Sequence, residues 1–172
     1  MPEFTWTCKT FDQLSRDELY EILRLRSAVF VVEQQCIYQD VDNFDQAAHH
    51  VIGLTRDDIT CYARLLAPDT KYRTASIGRV VANQAKRRRG FGKELMSFAI
   101  KQCEELWPGL GITISAQQYL EGFYQQLGFE LGERKDSPQG NKLAFLHLPG
   151  NDHFLELCFS PDYQVAFPED LM

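Results

Sequence analysis

The spacing of hydrophobic residues predicts a mixed α/β domain around one central sheet. Apolar and polar residues alternate over positions 4–9, which predicts a half-buried strand. Ser15 and Glu18 then form a capping-box pattern, and apolar residues at helical spacing follow it to about Phe30. Short apolar or alternating runs between turn residues predict six more strands, near residues 50–55, 59–66, 75–82, 111–117, 129–135 and 142–148. Two further helices are expected, at Lys93–Leu106 and near residues 119–127.

The most distinctive stretch is the turn between the strand at 75–82 and the next helix. It consists of Arg87, Arg88, Arg89, Gly90, Phe91, Gly92 and Lys93, and we call it the basic turn. Its glycines let the backbone approach a ligand closely, at a helix start where free amides and the dipole favour anions. Glu94 replaces the hydroxyl residue of a Walker loop, and Leu95 replaces the third glycine of a dinucleotide fingerprint. The basic turn therefore predicts a pyrophosphate site of another kind.

Composition favours a small anionic ligand over nucleic acid. The chain has 172 residues, 44% of them hydrophobic, and a net charge of −6, as is typical of one globular domain with a substantial core. A nucleic-acid-binding protein is more often basic overall, so we expect no nucleic-acid partner. No apolar run approaches the ~18 residues of a membrane span or resembles a signal peptide. We therefore expect no membrane partner and a cytoplasmic location.

Neither cysteines nor acidic residues predict a metal site. The five cysteines are scattered and form no C-x-x-C pair, so we expect no disulfide framework and no zinc. Asp40, Asp42 and Asp45 precede His49 and His50, but Asp45 stands where an EF-hand loop needs glycine. The two histidines would point to opposite faces of a strand. We interpret the aspartates as turn formers in a polar loop that could attract a cationic amine.

Three segments resemble the GNAT superfamily of acyl-CoA-dependent N-acyltransferases, and its ElaA-like subgroup in particular. The resemblance covers residues 5–147 and is most specific near the N-terminus. The matching segments are Leu25-Arg26 with Val29–Gln34 and Tyr38–Asp42, then Arg87-x-x-Gly90-x-Gly92, then Phe123-Tyr124-x-x-x-Gly128-Phe129. The resemblance implies a single domain with a mixed, mostly antiparallel sheet flanked by helices. It also implies acetyl-CoA as co-substrate and direct transfer of the acetyl group to a primary amine, without a metal.

On the acyl-donor side, the resemblance implies a role for each motif. The pantetheine arm would pair with the backbone of Val80 and Val81 where two strands splay apart, and the pyrophosphate would lie in the basic turn. Tyr124 would protonate the departing thiolate, because a phenol with an ordinary pKa near 10 matches a thiolate of similar basicity. From spacing alone, Tyr124 would instead be interpreted as an aromatic core residue.

On the acceptor side, Glu33 is the candidate base, directly or through water, or a carboxylate that binds the amine, although a lone acid also fits a solvated loop. Arg26, Gln34, His50 and Arg79 are expected to contact the substrate. His50 is an alternative base because its ordinary pKa lies near neutrality. Arg26 could instead position Glu33. Arg79 could contact an acid such as Glu33, or form a structural ion pair because it lies in an apolar strand.

The acceptor and the C-terminal tail stay open. The acceptor could be a small-molecule or peptide amine, and the protein a monomer or homodimer. A non-catalytic CoA-binding sensor with the same fold is the alternative function. We expect the GNAT domain to span residues 1–148, and residues 149–172 to form an extension with one more strand at Phe154–Phe159 and an irregular tail. The extension could cover a sheet edge, which we favour, join a dimer or be irregular throughout.

Overall fold

The residues that the structure describes form seven strands and three α-helices, as the hydrophobic pattern predicts. The structure is a computed structural model that describes residues 4–56, 58–83, 90–137 and 142–150. The strands are β1 (Phe4–Thr10), β2 (His49–Thr55), β3 (Asp58–Leu66), β4 (Ala75–Ala82), β5 (Ile112–Gln117), β6 (Glu130–Asp136) and β7 (Lys142–Leu148). The helices are α1 (Arg16–Arg26), α2 (Phe91–Leu106) and α3 (Glu121–Gln125). The expected mixed α/β class is confirmed.

The strands form one sheet in the order β1-β2-β3-β4-β5-β7-β6. Neighbouring strands are antiparallel except for β4 and β5, which run parallel. A parallel pair needs a crossover connection, and α2 provides it by packing across the sheet between β4 and β5. The expected mixed, mostly antiparallel sheet is therefore confirmed.

Helices cover both faces of this sheet. On one face, Ile22 and Leu25 of α1 pack with Ile52 and Tyr62 of the sheet. On the other face, α2 buries Leu95, Met96, Ala99 and Cys103 in a larger cluster that includes Val51. Val51 and Ile52 are adjacent in β2 and enter different clusters, since successive side chains of a strand point to opposite faces. Burial of apolar side chains on both faces holds the sheet in place for the site described below.

The first helix begins where the sequence indicates and continues further than expected. Ser15 accepts a hydrogen bond from the Glu18 amide, and Glu18 bonds back to the Ser15 amide. Beyond Arg26 the chain continues as a π-helical segment, Ser27–Glu33, in which the Gln34 amide donates to the Val29 carbonyl five residues earlier. A turn widened in this way shifts the 3.6-residue periodicity, so the pattern did not indicate helix beyond Phe30.

The last helix is shorter than expected. A 3₁₀ turn at Gln118–Leu120 leads into α3, and Gly128 follows it at φ +94°. Glycine adopts this left-handed conformation without steric cost, which allows the chain to turn sharply into β6. No helix of the described residues is both long and apolar enough to cross a membrane.

Two predicted features lie outside the described residues. These are Arg87, Arg88 and Arg89 of the basic turn, and the tail from residue 151 onward with its expected strand at Phe154–Phe159. Both stay predictions.

Candidate active site

The two parallel strands separate soon after they meet, and a cavity lies between them. β4 and β5 pair only at Ala75 with Ile112 and at Ser76 with Thr113. Beyond those pairs, the cavity is lined by Ile77–Val80 of β4 and Ile114–Gln117 of β5. Its mouth and remaining walls include Phe30, Gln34, Cys36, Tyr38, Tyr119, Leu120, Tyr124 and Leu143. Backbone groups of β4 that would pair with β5 in a continuous sheet therefore face a cavity that a ligand can enter.

A bulge in β4 marks the wall of this cavity. Tyr62 pairs with Val81 and Arg64 with Gly78, so the single residue Ala63 of β3 lies opposite two residues of β4. One of these two, Arg79, has φ +53°, a left-handed conformation that is strained for a residue other than glycine. A bulge bends a strand and increases its local twist, which turns β4 away from β5.

Val80 and Val81, both expected at this edge, face different surroundings. Val80 lines the cavity, whereas Val81 is buried against α1 on the other face of the sheet. Gly78 also lines the cavity, and a methyl group in place of its hydrogen would meet no atom within 4 Å. The cavity side of β4 is therefore sterically open at Gly78.

Tyr124 lies in the cavity wall with its ring held in an aromatic cluster. The ring makes edge contacts with Phe123 and Phe129, at centroid distances of 5.1 and 6.0 Å. The side chain is 5% exposed, and burial raises the pKa of the phenol above its usual value. Tyr124 thus stays protonated at neutral pH and is fixed beside the space between β4 and β5.

The described part of the basic turn forms the start of α2. Gly90 caps the helix at φ +82°, and the amides of Lys93 and Glu94 both donate to its carbonyl. The amides of Phe91 and Gly92 at this helix start have no partner within the helix. A Cβ at Gly90 would contact nothing within 4 Å, and Lys93 is exposed. These features would allow an anionic group to approach the helix dipole.

The ring of Phe91 packs against the sheet. It stacks on Phe4 of β1 with centroids 4.6 Å apart. This packing of α2 on β1 accounts for an aromatic residue in the basic turn.

On the opposite side of the cavity, the π-helical segment brings Gln34 to the wall. Its side-chain oxygen accepts a hydrogen bond of 3.2 Å from Gln117 of β5. Glu33 precedes it at the end of the segment and is exposed to solvent. The structure thus brings the expected Gln34 into the same cavity as Tyr124, whereas Glu33 is not among the residues that line it.

A cluster of three arginines and three aspartates lies behind this wall, and we call it the Arg–Asp cluster. Arg26 comes from α1, Arg64 from β3 and Arg79 from β4, whereas Asp40, Asp42 and Asp45 all come from the segment before β2. All six side chains are at most 10% exposed. Three positive and three negative charges compensate one another, as burial of charged groups requires.

Each arginine bridges two carboxylates. Arg26 donates to Asp40 and Asp45 at 2.8 Å each. Arg64 makes two bonds to Asp42, of 2.6 and 2.7 Å, and one to Asp45 of 2.9 Å. Arg79 contacts Asp40 at 2.7 Å and donates to Asp42 at 3.0 Å. Burial alone would raise the pKa of Asp42, but the hydrogen bonds and charge of Arg64, with the charge of Arg79, lower it to about 2.

These pairings correct three expectations from the sequence. The aspartates do not form an exposed polar loop that attracts an amine, because their carboxylates are buried and bound to arginine. Arg26 is fully buried, and its guanidinium donates to two carboxylates and the Asp40 carbonyl, so it has no surface for substrate. Arg79 lines the cavity, but its guanidinium is directed at Asp40 and Asp42 rather than at the cavity or Glu33.

His50 also differs from its expected role as substrate contact or base. The residue is completely buried. Its Nε2 lies 2.9 Å from the Asp45 carbonyl, and its Nδ1 lies 2.8 Å from the Tyr62 hydroxyl. A carbonyl only accepts, so Nε2 carries the proton, and burial lowers the pKa of the ring. A neutral, fully bonded imidazole of this kind supports the loop next to the Arg–Asp cluster.

Comparison with known proteins shows which family uses this arrangement of strands. Residues 12–148 match the family described as acetyltransferase (GNAT) domain. The protein ElaA of Escherichia coli strain K12 is 40% identical over 126 residues, which is 72% of this chain and 82% of ElaA. This chain belongs to the GNAT superfamily, in its ElaA-like subgroup.

Solved structures share the GNAT fold over most of the chain. The crystal structure of E. coli ElaA superposes with a TM-score of 0.74 and 35% identity, over 84% of this chain and 99% of ElaA. An acyl-CoA N-acyltransferase from Pseudomonas aeruginosa gives 0.78 and 35%, over the same shares. A Bacillus subtilis acetyltransferase in complex with CoA has the same fold at 18% identity, with a TM-score of 0.65 over 86% of this chain and 99% of that protein. Membership in the GNAT superfamily supports acyl-CoA-dependent acyl transfer as the class of reaction.

The Arg–Asp cluster is the part of this GNAT protein that the sequence analysis missed. Its signal was present in the sequence, since Arg64 and Arg79 stand in apolar strands and three aspartates lie within six residues, 40–45. Equal numbers of buried arginines and clustered aspartates are a pattern from which pairing can be predicted.

Proposed function

We propose that this GNAT protein transfers the acetyl group of acetyl-CoA directly to a primary amine. The observation that carries the proposal is the cavity between β4 and β5, with Tyr124 in its wall. The acyl donor enters between the strands, and its pantetheine amides pair with backbone groups of β4 around Val80 and Val81. The B. subtilis acetyltransferase of the same fold, solved with CoA, supports this choice of ligand.

At the far end of the donor, the basic turn receives the pyrophosphate. The helix start at Gly90 and Gly92 supplies amides and a positive dipole. Lys93 adds a positive charge, and so would Arg87, Arg88 and Arg89, which lie outside the described residues. The side chain of Phe91 contributes packing only.

Within the cavity, Tyr124 serves as the general acid. The C–S bond of the thioester breaks as the amine nitrogen bonds to the carbonyl carbon, and the phenol gives its proton to the departing thiolate. The excess proton on the new amide nitrogen passes to a base. Glu33 directly precedes Gln34 in the chain and is exposed to solvent, so it takes that proton through water, while Gln34 contacts the acceptor. The reaction in this form uses no cysteine nucleophile and no metal.

The acceptor enters at the mouth between Phe30, Gln34 and Tyr38. We place the acceptor here because the donor occupies the cleft between β4 and β5, whereas these three residues belong to the π-helical segment and the chain that follows it. The acceptor is a small-molecule or peptide amine. The cytoplasmic location and the monomeric or homodimeric state expected from the sequence stay predictions.

The experiment that tests the proposal measures CoA release from acetyl-CoA against a panel of amines. The panel includes amino acids, peptide N-termini, lysine peptides, amino-sugars and aromatic amines. We expect turnover with at least one class, and mass spectrometry of the product should show one added acetyl group on nitrogen. Binding of acetyl-CoA without turnover on any amine would contradict the catalytic part of the proposal and favour a CoA-binding sensor.

A further inference from the structure

Arg79 differs from the other two arginines of the Arg–Asp cluster in its backbone and in its position. It has a left-handed φ of +53° within the β4 bulge, and it lines the cavity. Its neighbour Arg64 stands in β3, directly opposite Gly78. Both arginines bind Asp42, so they share a partner while only Arg79 belongs to the β4 bulge.

The contacts of Arg79 join β4 to the segment between the π-helical segment and β2. Its Nε lies 2.7 Å from Asp40, and its Nη2 donates to the Asp42 carboxylate and to the Asp40 carbonyl at 3.0 and 3.1 Å. The ring of Tyr38 covers the guanidinium at 5.2 Å, and the Tyr38 hydroxyl donates to Asp40 at 3.3 Å. Tyr38 also lines the cavity. One guanidinium thus fixes residues of two different cavity walls.

We propose that Arg79 is a positioning residue that holds the β4 bulge and the Tyr38 wall in register, and so couples donor binding to acceptor binding. This inference rests on the proposed function, since the donor strand and the acceptor wall are defined by it. A non-glycine residue stays in the left-handed region only where surrounding contacts hold it, and four contacts with Tyr38, Asp40 and Asp42 do so here. Without them, β4 is free to return to regular pairing with β3 and to alter the backbone that the pantetheine arm contacts.

A matched pair of variants separates positioning from stability. Lysine keeps the positive charge, but it lacks the planar guanidinium group whose several N–H donors bridge two carboxylates. Arg79→Lys and Arg64→Lys therefore make the same chemical change in the same cluster, inside and outside the β4 bulge. The measurements are thermal unfolding, the Kd for CoA by calorimetry, and kcat and KM with the best amine of the panel.

We expect both variants to lose stability, and only Arg79→Lys to bind CoA about tenfold more weakly, with KM for acetyl-CoA rising in parallel. KM for the amine should rise in the same variant, since both walls depend on one guanidinium. Arg64→Lys should keep its Kd for CoA within about twofold of wild type.

Equal changes in CoA affinity for the two variants, or none for Arg79→Lys, would overturn the proposal while leaving the proposed function intact. A wild-type protein that binds no CoA would overturn both. If Arg79→Lys does not fold, Asp40→Asn takes its place, because it keeps the shape of the side chain and weakens the contact with Arg79. Unchanged CoA affinity in folded Asp40→Asn would then refute the positioning role.

Discussion

Two buried regions border the cavity. One is formed by apolar side chains and the other by charged side chains. Around Tyr124, the wall is aromatic and aliphatic, with Ile77, Ile114 and Phe129 packed about it. Behind Tyr38, the wall is supported by six charged side chains in ion pairs. Apolar contacts are individually weak and adapt to small changes, whereas each buried charge depends on its partners. We therefore expect changes at Tyr124 to affect chemistry, and changes in the Arg–Asp cluster to affect stability, with an added effect on CoA binding at Arg79.

The largest effect on chemistry is expected from Tyr124→Phe. The phenol acts on a thiolate that exists only as the thioester breaks, so its loss raises the barrier without weakening the ground-state complex. We expect kcat to fall by about 10²–10⁴-fold, with a Kd for acetyl-CoA near that of wild type and a small change in melting temperature. Phe123→Leu is the control, because it alters the same aromatic cluster and leaves the phenol in place. Turnover of Tyr124→Phe within about twofold of wild type would make Tyr124 a core aromatic only.

On the charged side, Asp42→Ala should be the most destabilising single change. It removes partners from Arg64 and Arg79 together and leaves buried positive charge without compensation. Breaking a buried pair in this way costs about 3–5 kcal/mol in the free energy of unfolding, measured by urea denaturation. Glu21→Ala breaks an exposed pair with Arg24 and should lower the free energy of unfolding far less, because solvent screens an exposed pair. Similar losses in the two variants would show that the Arg–Asp cluster contributes no more than a surface pair.

A smaller effect is expected from acid. The pKa of Asp42 is about 2 in the fold, against an ordinary 3.8, so its contribution to stability is present above about pH 4 and is lost as pH falls toward 2. The pKa of Asp45 is lowered as well: burial opposes the shift, but Arg26 and Arg64 outweigh it. The free energy of unfolding should therefore decline steeply below pH 4. An Asp42 carboxyl that titrates at or above pH 4 by NMR would contradict the ion pairing.

The smallest effect is expected from Cys36→Ser. Cys36 is a thiol in the cavity wall, and burial raises its pKa, which disfavours the thiolate. Direct transfer does not use it, so kcat should stay within about twofold of wild type. Mass spectrometry after exposure to acetyl-CoA without amine should find no acetyl group on Cys36. A stoichiometric acetyl-cysteine, with turnover lost in the variant, would replace direct transfer by a covalent route.

The apolar half of the molecule could be predicted from the sequence, because periodicity reports burial directly. The strand at Ala75–Ala82, the helix start at Gly90 and the capping box at Ser15 all follow local rules. The charged half could not be placed in the same way. The pairing of Arg26 with Asp45 joins residues 19 apart, and that of Arg79 with Asp42 joins residues 37 apart. The residue types indicate that pairing occurs, but which arginine meets which aspartate depends on which strands become neighbours, and no local pattern contains that information.

The bulge at Arg79 escaped prediction for a related reason. Arginine has no preference for a left-handed φ, so the residue type gave no sign of it. Register mismatch between β3 and β4 creates the bulge, and the ion pairs with the segment before β2 hold it. The burial of His50 was not predicted either, because its partners Tyr62 and Asp45 come from another strand and from a loop.

The central claim, that acyl-CoA lies between the separated ends of β4 and β5, is tested most directly by filling that space. Gly78 lines the cavity with open space beside its Cα, and Gly122 on α3 is equally open but exposed. Gly78→Leu and Gly122→Leu are therefore matched in chemistry and differ in location. Excess acetyl-CoA at about 100 times its Kd should raise the melting temperature of wild type and of Gly122→Leu by about 5 °C or more. It should leave the melting temperature of Gly78→Leu unchanged. An equal rise in Gly78→Leu, or none in wild type, would contradict the claim.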